Sequence, residues 1–520
     1  MAQGAAVAAQ VILALALTSL SGAATAARVE PVVPCFATPA PGTAIDFRMD
    51  CGYVVVPQDP LAPDGSEVKL GFLRLSARSA KDATPPQTRA APLFMLAGGP
   101  GGSLIQAEVF ALFRPEFLGP ILDQRDVVIL DQRGAGHVVP FLGCEAFDRL
   151  GWTAYSLGLE QEQSIALEHA VLDRCIVDLR RQGVDLATYN SVAIAADLNA
   201  ARAGLGYERI VYYGASYGAQ LGQHLMRDFP GMLESVVLDG ANPLSRKSWI
   251  EDKALDVDYS IQHLAALCEA DTKCRATYDI PLLIERGLKL FDAGPIPASY
   301  TDPKDPGTTL KFDIRQSDFA TLIYEMQGTK IGVMALPLTL KTLVDGGRAS
   351  MANELGKMIG QQLLALRGAP LWSTAAIMHM AVVCSDDPVR SADELVLDRA
   401  SRYATVLGTG AAAQYLRYCR SVDVPSLPDS TDVNVASAVP TLILSGGLDA
   451  QTPTFRSELV ARSLPNARLV VFPDGTHVQL GAINLCAGRI MVEFVGDPKG
   501  ALPLECARTL RFPGFVLPEE

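Results

Sequence analysis

Short, almost wholly apolar runs alternate with longer stretches of helical period along the first half of this chain. Residues 92–96, 126–130, 209–212 and 235–238 are such runs, each followed within two residues by Gly or Asp. A strand with one solvated face alternates apolar and polar positions, whereas a run that is apolar throughout is buried on both faces. Residues 51–58 and 68–76 precede them and read as two strands joined by a Pro/Asp/Gly turn at 59–65. Residues 192–205 and 219–227 repeat with helical period on either side of the 209–212 run. Strands of this kind separated by helices predict an α/β fold with a mostly parallel sheet covered on both faces.

The strand rhythm stops near residue 246. Helical patterns at 261–270, 318–326 and 351–366 follow, with a Pro/Gly/Asp-rich loop expected at 293–309. Strand-like runs resume at 441–444 and 468–472, after a turn-rich return linker at 421–430. The expected organisation is a core at 28–245, an inserted helical cap at 246–430 and a second core segment at 431–520. No internal repeat is present.

Residues 1–27 read as a secretory signal, with an apolar stretch at 11–20 and small residues Ala24-Thr25-Ala26 for cleavage. Its n-region lacks Lys and Arg, and an uncleaved anchor is the alternative. Ten cysteines agree with export to an oxidising compartment, either periplasmic or extracellular. Pairing of neighbours (35 with 51, 144 with 175, 268 with 274, 384 with 419, 486 with 506) closes each loop locally. No C-x-x-C occurs and no His lies at ligand spacing, so no metal site is expected. The net charge of −13, without a Lys/Arg-rich run, excludes nucleic acid as an expected partner.

The candidate chemistry centres on Tyr213-Gly214-Ala215-Ser216-Tyr217-Gly218, between a strand and a helix. G-x-S-x-G in that context is the nucleophile elbow of an α/β-hydrolase. The pattern alone is common in glycine-rich chains, so its surroundings decide. A serine hydroxyl needs a base, and the base needs an acid, in the chain order Ser, Asp, His. Asp449 follows the 441–444 strand and His477 follows the 468–472 strand. Asp239 and Asp474 are alternatives for the acid. The other five histidines (137, 169, 224, 263, 379) read as surface or core residues. The loop Gly98-Gly99-Pro100-Gly101-Gly102 is a candidate oxyanion hole, with Gly99 and Tyr217 as its N–H donors. A phosphate loop is excluded because no G-K-[S/T] follows. This chemistry needs no metal or organic cofactor.

Together, Gly98-Gly99-Pro100-Gly101-Gly102-Ser103, Asp131-Gln132-Arg133-Gly134-Ala135-Gly136 and the elbow resemble the proline iminopeptidase/tripeptidyl aminopeptidase group of α/β-hydrolases. The segments around Asp449-Ala450-Gln451-Thr452-Pro453, Gly475-Thr476-His477 and Met380-Ala381-Val382-Val383-Cys384-Ser385-Asp386 are similar to that group as well. The resemblance implies an α/β-hydrolase fold and an exopeptidase acting at a free N-terminus. Such an enzyme needs acids for the substrate ammonium; Asp386, Asp387 and Glu251 are the candidates. Ala97 stands where proline iminopeptidases carry His, which weakens a claim of strict prolyl specificity. A carboxylesterase acting on esters or lactones with the same triad is the alternative, and an inactive binding module is a third. The expected partner is a small peptide or ester, admitted past a cap that narrows the entrance. Stable membrane insertion is not expected once the signal is removed.

Overall fold

The computed structural model describes residues 27–40, 46–80, 90–246, 253–368, 375–389, 391 and 400–518. The signal segment, apart from Ala27, and Glu251 lie outside the described residues. One nine-stranded sheet forms the core. Its strands are β1 (Arg28–Pro31), β2 (Met49–Pro57), β3 (Glu67–Leu75), β4 (Leu93–Leu96), β5 (Val127–Leu130), β6 (Ile210–Ala215) and β7 (Leu233–Asp239). After the insertion, which holds β8 (Ile296–Asp302) and β9 (Asp305–Ile314), come β10 (Thr441–Gly446) and β11 (Ala467–Phe472). The order is β1-β2-β3-β5-β4-β6-β7-β10-β11. β1, β2, β3 and β5 pair antiparallel in turn, and every pairing from β5 through β4 to β11 is parallel.

The apolar runs are explained by burial on both faces. Phe94, Leu96, Val128, Leu130, Ile210 and Tyr212 face one apolar cluster. It contains Ile194 and Leu198 of the helix Ser191–Gly204 and Leu221 and Leu225 of the helix Tyr217–Asp228. Their neighbours Leu93, Met95, Val127, Ile129, Val211 and Tyr213 face a second cluster, which holds Ile490, Met491 and Phe494 of the helix Leu485–Gly496. Successive side chains of a strand point to opposite faces, so both sets must be apolar.

Between β7 and β10 the chain builds a mainly helical unit with its own apolar cluster. The expected loop at 293–309 is instead the β8–β9 hairpin. Ile296, Leu310 and Ile314 supply its buried stripe, a period-two alternation that the Pro, Gly and Asp residues hid in the sequence. The return linker also starts later than expected. The helix Arg402–Val422 runs through 421 and 422 and stops at Asp423, which takes a left-handed φ of 48°. β1 was not expected either; its four residues are mostly exposed and carry no apolar pattern.

Five disulfides join Cys35–Cys51, Cys144–Cys175, Cys268–Cys274, Cys384–Cys419 and Cys486–Cys506, the local pairing expected. Cys384–Cys419 ties the helix Ala376–Asp386 to Arg402–Val422. No helix among the described residues is long and apolar enough to cross a membrane.

Candidate active site

Ser216 lies between the end of β6 and the helix Tyr217–Asp228, with φ 53° and ψ −116°. A side-chain-bearing residue in that region costs about 1–3 kcal/mol, and persists only where its surroundings hold it. Here the Ser216 N–H donates to the Asp239 carbonyl at 2.8 Å, and the Tyr212 hydroxyl donates to the Gly218 carbonyl at 2.7 Å. Gly214 is required by contact: a Cβ there would lie 2.0 Å from the Gly218 carbonyl oxygen. The turn therefore lifts Ser216 to the carboxyl edge of the sheet, in front of the unpaired first amides of a helix.

The glycine loop after β4 comes to meet it. A Cβ on Gly98 would be 2.7 Å from the Cβ of Ser216. Gly99, at φ 117°, lines one cleft with Ser216 and Tyr217. Gln132, buried in the D-Q-R-G-A-G run, braces this loop. Its Nε2 donates to the Ala97 carbonyl at 2.7 Å and its Oε1 accepts from Gly101 N–H at 3.4 Å. Next to it, Arg133 forms a buried two-pronged pair with Asp197 at 2.8 and 2.7 Å and donates to the Gln58 and Thr188 carbonyls. This run therefore fixes the floor under the loop.

His379 holds the loop from the cap side. Its Nδ1 is 3.0 Å from the Pro100 carbonyl and its Nε2 is 2.5 Å from the Tyr415 hydroxyl. A carbonyl only accepts, so Nδ1 carries the proton; burial pulls the pKa below the usual value, leaving Nε2 to accept from Tyr415. His379 is thus the satisfied core residue expected of a histidine outside the candidate triad, although nothing in the sequence pattern links residue 379 to residue 100.

Asp449 and His477 meet at the ends of β10 and β11. His477 Nδ1 is 2.8 Å from Asp449 Oδ2 and 3.1 Å from Thr452 Oγ1. Asp449 Oδ1 accepts from the Gln451 and Thr452 N–H groups at 2.8 and 2.9 Å, and Oδ2 accepts from the Thr452 hydroxyl at 2.6 Å. Burial would raise the Asp449 carboxyl, but the His477 ring and these hydrogen bonds outweigh it and hold it below its ordinary value. Burial lowers the His477 imidazole, and Asp449 outweighs that too, leaving it above its ordinary value. Among the described residues no hydrogen bond joins His477 to Ser216; such bonds are often long before substrate arrives.

The two alternative acids have other partners. Asp239 accepts from the Gln479 and Leu480 N–H groups at 2.8 and 2.9 Å and from the Tyr213 hydroxyl at 3.0 Å. It thereby pins the segment after His477, and burial raises its carboxyl to about 6. Asp474 pairs with Lys330 at 2.5 Å, joining the His477 loop to the helix Lys330–Asp345.

The expected amine-binding acids are not brought to the serine. Asp386 is buried and accepts from the Ser191 N–H at 3.1 Å and from the Ser191 hydroxyl, which also meets the Tyr217 hydroxyl at 2.6 Å. It anchors the start of the helix Ser191–Gly204 behind Tyr217, and burial pushes its carboxyl up to about 7. Asp387 is likewise buried, and neither acid lines the cleft. The carboxylate that does, among the described residues, is Asp256. The cleft has a volume of about 340 Å³ and includes Gln220, Asn242, Lys253, Tyr324 and Gln451.

A strained elbow serine, a glycine loop against it and a parallel sheet of this order define a serine hydrolase with the α/β-hydrolase fold. The family profile described as "alpha/beta hydrolase fold" matches residues 91–293, which contain the glycine loop and Ser216. The profile described as "TAP-like protein" matches residues 403–503, which contain Asp449 and His477. The chain is 27% identical over 455 residues to the serine protease Hip1 of Mycobacterium tuberculosis, covering 82% of this chain and 81% of that protein. It is 28% identical over 222 residues to the tripeptidyl aminopeptidase of Streptomyces coelicolor, covering 41% of this chain and 39% of that one. Among solved structures, proline iminopeptidase from Mycobacterium smegmatis is 13% identical with a TM-score of 0.40, covering 86% of this chain and 98% of the other.

Proposed function

We propose that this chain is an exported serine exopeptidase that releases a short peptide or single residue from a free N-terminus through Ser216, His477 and Asp449. The observation that carries the reading is the Asp449–His477 hydrogen bond of 2.8 Å at the strand ends, on the same sheet edge as the elbow serine. Because a carboxylate can only accept, Nδ1 keeps its proton and Nε2 is left as the base. In this reading Ser216 Oγ attacks the carbonyl while His477 takes its proton. The tetrahedral oxyanion rests on the Gly99 and Tyr217 N–H groups. His477 then returns the proton to the leaving amine, and water activated by the same imidazole releases the acyl group. Export is supported by the five disulfides and by the signal-like segment 1–27. The exopeptidase assignment draws on the named activity of the Streptomyces relative and on the narrow cleft under the inserted unit, which suits extended rather than folded substrates.

A carboxylesterase is the second reading, favoured by one observation. Asp256 is already held by Arg246 at 2.6 Å and Arg456 at 2.9 Å, so its charge is met without a substrate ammonium. Turnover of a tripeptidyl chromogenic amide, its N-acetylated twin and a short aryl ester separates the two. Strong loss on acetylation is expected. Ester turnover with neither amide cleaved selects the esterase, and activity retained in Ser216→Ala refutes both.

A further inference from the structure

The charge inside the cleft carries an inference about the substrate that rests on, and deepens, the reading above. Asp256 is buried and takes one guanidinium on each oxygen, Arg246 on Oδ2 and Arg456 on Oδ1. Lys253, at the start of the helix Lys253–Ala270, is in a different position. Among the described residues no carboxylate reaches it at ion-pair distance; its ammonium lies over the Tyr324 ring, 4.2 Å from the centroid. A ring face attracts a cation but supplies no countercharge. Burial, with Arg246 nearby, pulls the Lys253 pKa down, and the more distant carboxylates of Glu325 and Asp256 oppose this without reversing it. An anion placed beside it would be favoured for the same reason. The side-chain amides of Gln220, Asn242 and Gln451 line the same space and offer N–H donors.

The side of the substrate follows from where His477 lies. It would pass its proton to the leaving group, and it also lines an opening with Lys330, Asp474 and Ile483 that Lys253 does not line. In this reading the cleft that Lys253 shares with Ser216 and the oxyanion donors Gly99 and Tyr217 takes the acyl side. We propose that Lys253 is a specificity residue that pairs with a carboxylate on the acyl residue, so that the enzyme prefers Glu or Asp immediately before the cleaved bond.

The test compares kcat/KM at pH 8 for two peptidyl chromogenic amides that differ only in Glu or Gln at that residue. The wild type is expected to favour Glu by about 10- to 100-fold, the range of a charge-assisted contact removed from bulk water. Lys253→Met should bring the ratio toward one, and Lys253→Arg should restore a preference for Glu. Equal turnover of the pair by the wild type, or a ratio unchanged in Lys253→Met, overturns the proposal. If neither amide is cleaved, the peptidase reading fails separately, and calorimetry on Ser216→Ala decides the subsite. Glutarate should then bind at least tenfold more weakly when Lys253→Met is added, and equal binding, or none in either variant, overturns the subsite.

Discussion

Asp449→Asn is the substitution whose outcome the geometry fixes most fully. Asp449 Oδ1 faces two backbone N–H donors, from Gln451 and Thr452, while Oδ2 faces His477 Nδ1 and the Thr452 hydroxyl. In the asparagine variant, the atom facing the two backbone donors must be the amide oxygen. The NH2 group is then turned to His477 and donates to Nδ1. A neutral imidazole in that position carries its proton on Nε2 and cannot accept one from Ser216. Flipping the amide would set NH2 against the buried Thr452 N–H, at about 1–3 kcal/mol, and against the N–H of exposed Gln451 at a smaller cost. The unproductive tautomer is thus favoured by roughly 2–4 kcal/mol, or about 30- to 10³-fold in rate. The loss should fall on kcat, with little change in melting temperature. The pH profile adds a second readout. Asp449 holds the His477 pKa above its ordinary value of 6.5, and the base must be neutral to act. Wild-type activity should therefore fall on acidification with a midpoint above 6.5, and in the variant that limb should move to lower pH. Amide hydrolysis followed from pH 5 to 9 checks both. A variant within tenfold of the wild type, with an unmoved limb, would refute the assignment.

Other perturbations test the scaffold. Gly98→Ala places a methyl carbon 2.7 Å from the Ser216 Cβ, so labelling by a fluorophosphonate should be lost while the circular dichroism spectrum is kept. Arg133→Met leaves Asp197 buried without its partner and should cost about 3–5 kcal/mol in urea unfolding; adding Asp197→Leu should recover most of it. Cys384→Ser with Cys419→Ser opens a loop with a sequence separation of 35, for an expected loss of about 3–4 kcal/mol. Lys330→Ala removes an ion pair whose lysine is half exposed, so stability should change by less than about 1 kcal/mol, with any effect appearing in kcat through the His477 loop.

Much of this was legible in the sequence because it depends on neighbours along the chain. The apolar runs of β4 to β7 and β10 to β11 follow from burial on both faces, and the elbow follows from the small residues that Ser216 demands on either side. Asp449 and His477 stand out as candidates because each lies in the loop after a parallel strand, and such strands deliver their loops to one edge. Three acids are candidates for the same role in the sequence, and in the fold their hydrogen-bond partners differ: Asp239 meets the 479 and 480 amides, Asp474 meets Lys330 and Asp449 meets His477. The hairpin β8–β9 was hidden because its alternation is broken by turn-forming residues. Asp386 misled because an acid late in the cap region carries no mark of direction; in the fold it turns to Ser191, behind Tyr217. Chain-local sterics and periodicity thus determined the core fold and the candidate triad. Contacts between residues far apart in the chain, such as His379 on the Pro100 carbonyl and Lys253 in the cleft with Ser216, were decided only by tertiary packing. No short-range pattern encodes which side chains a folded chain brings together across such separations.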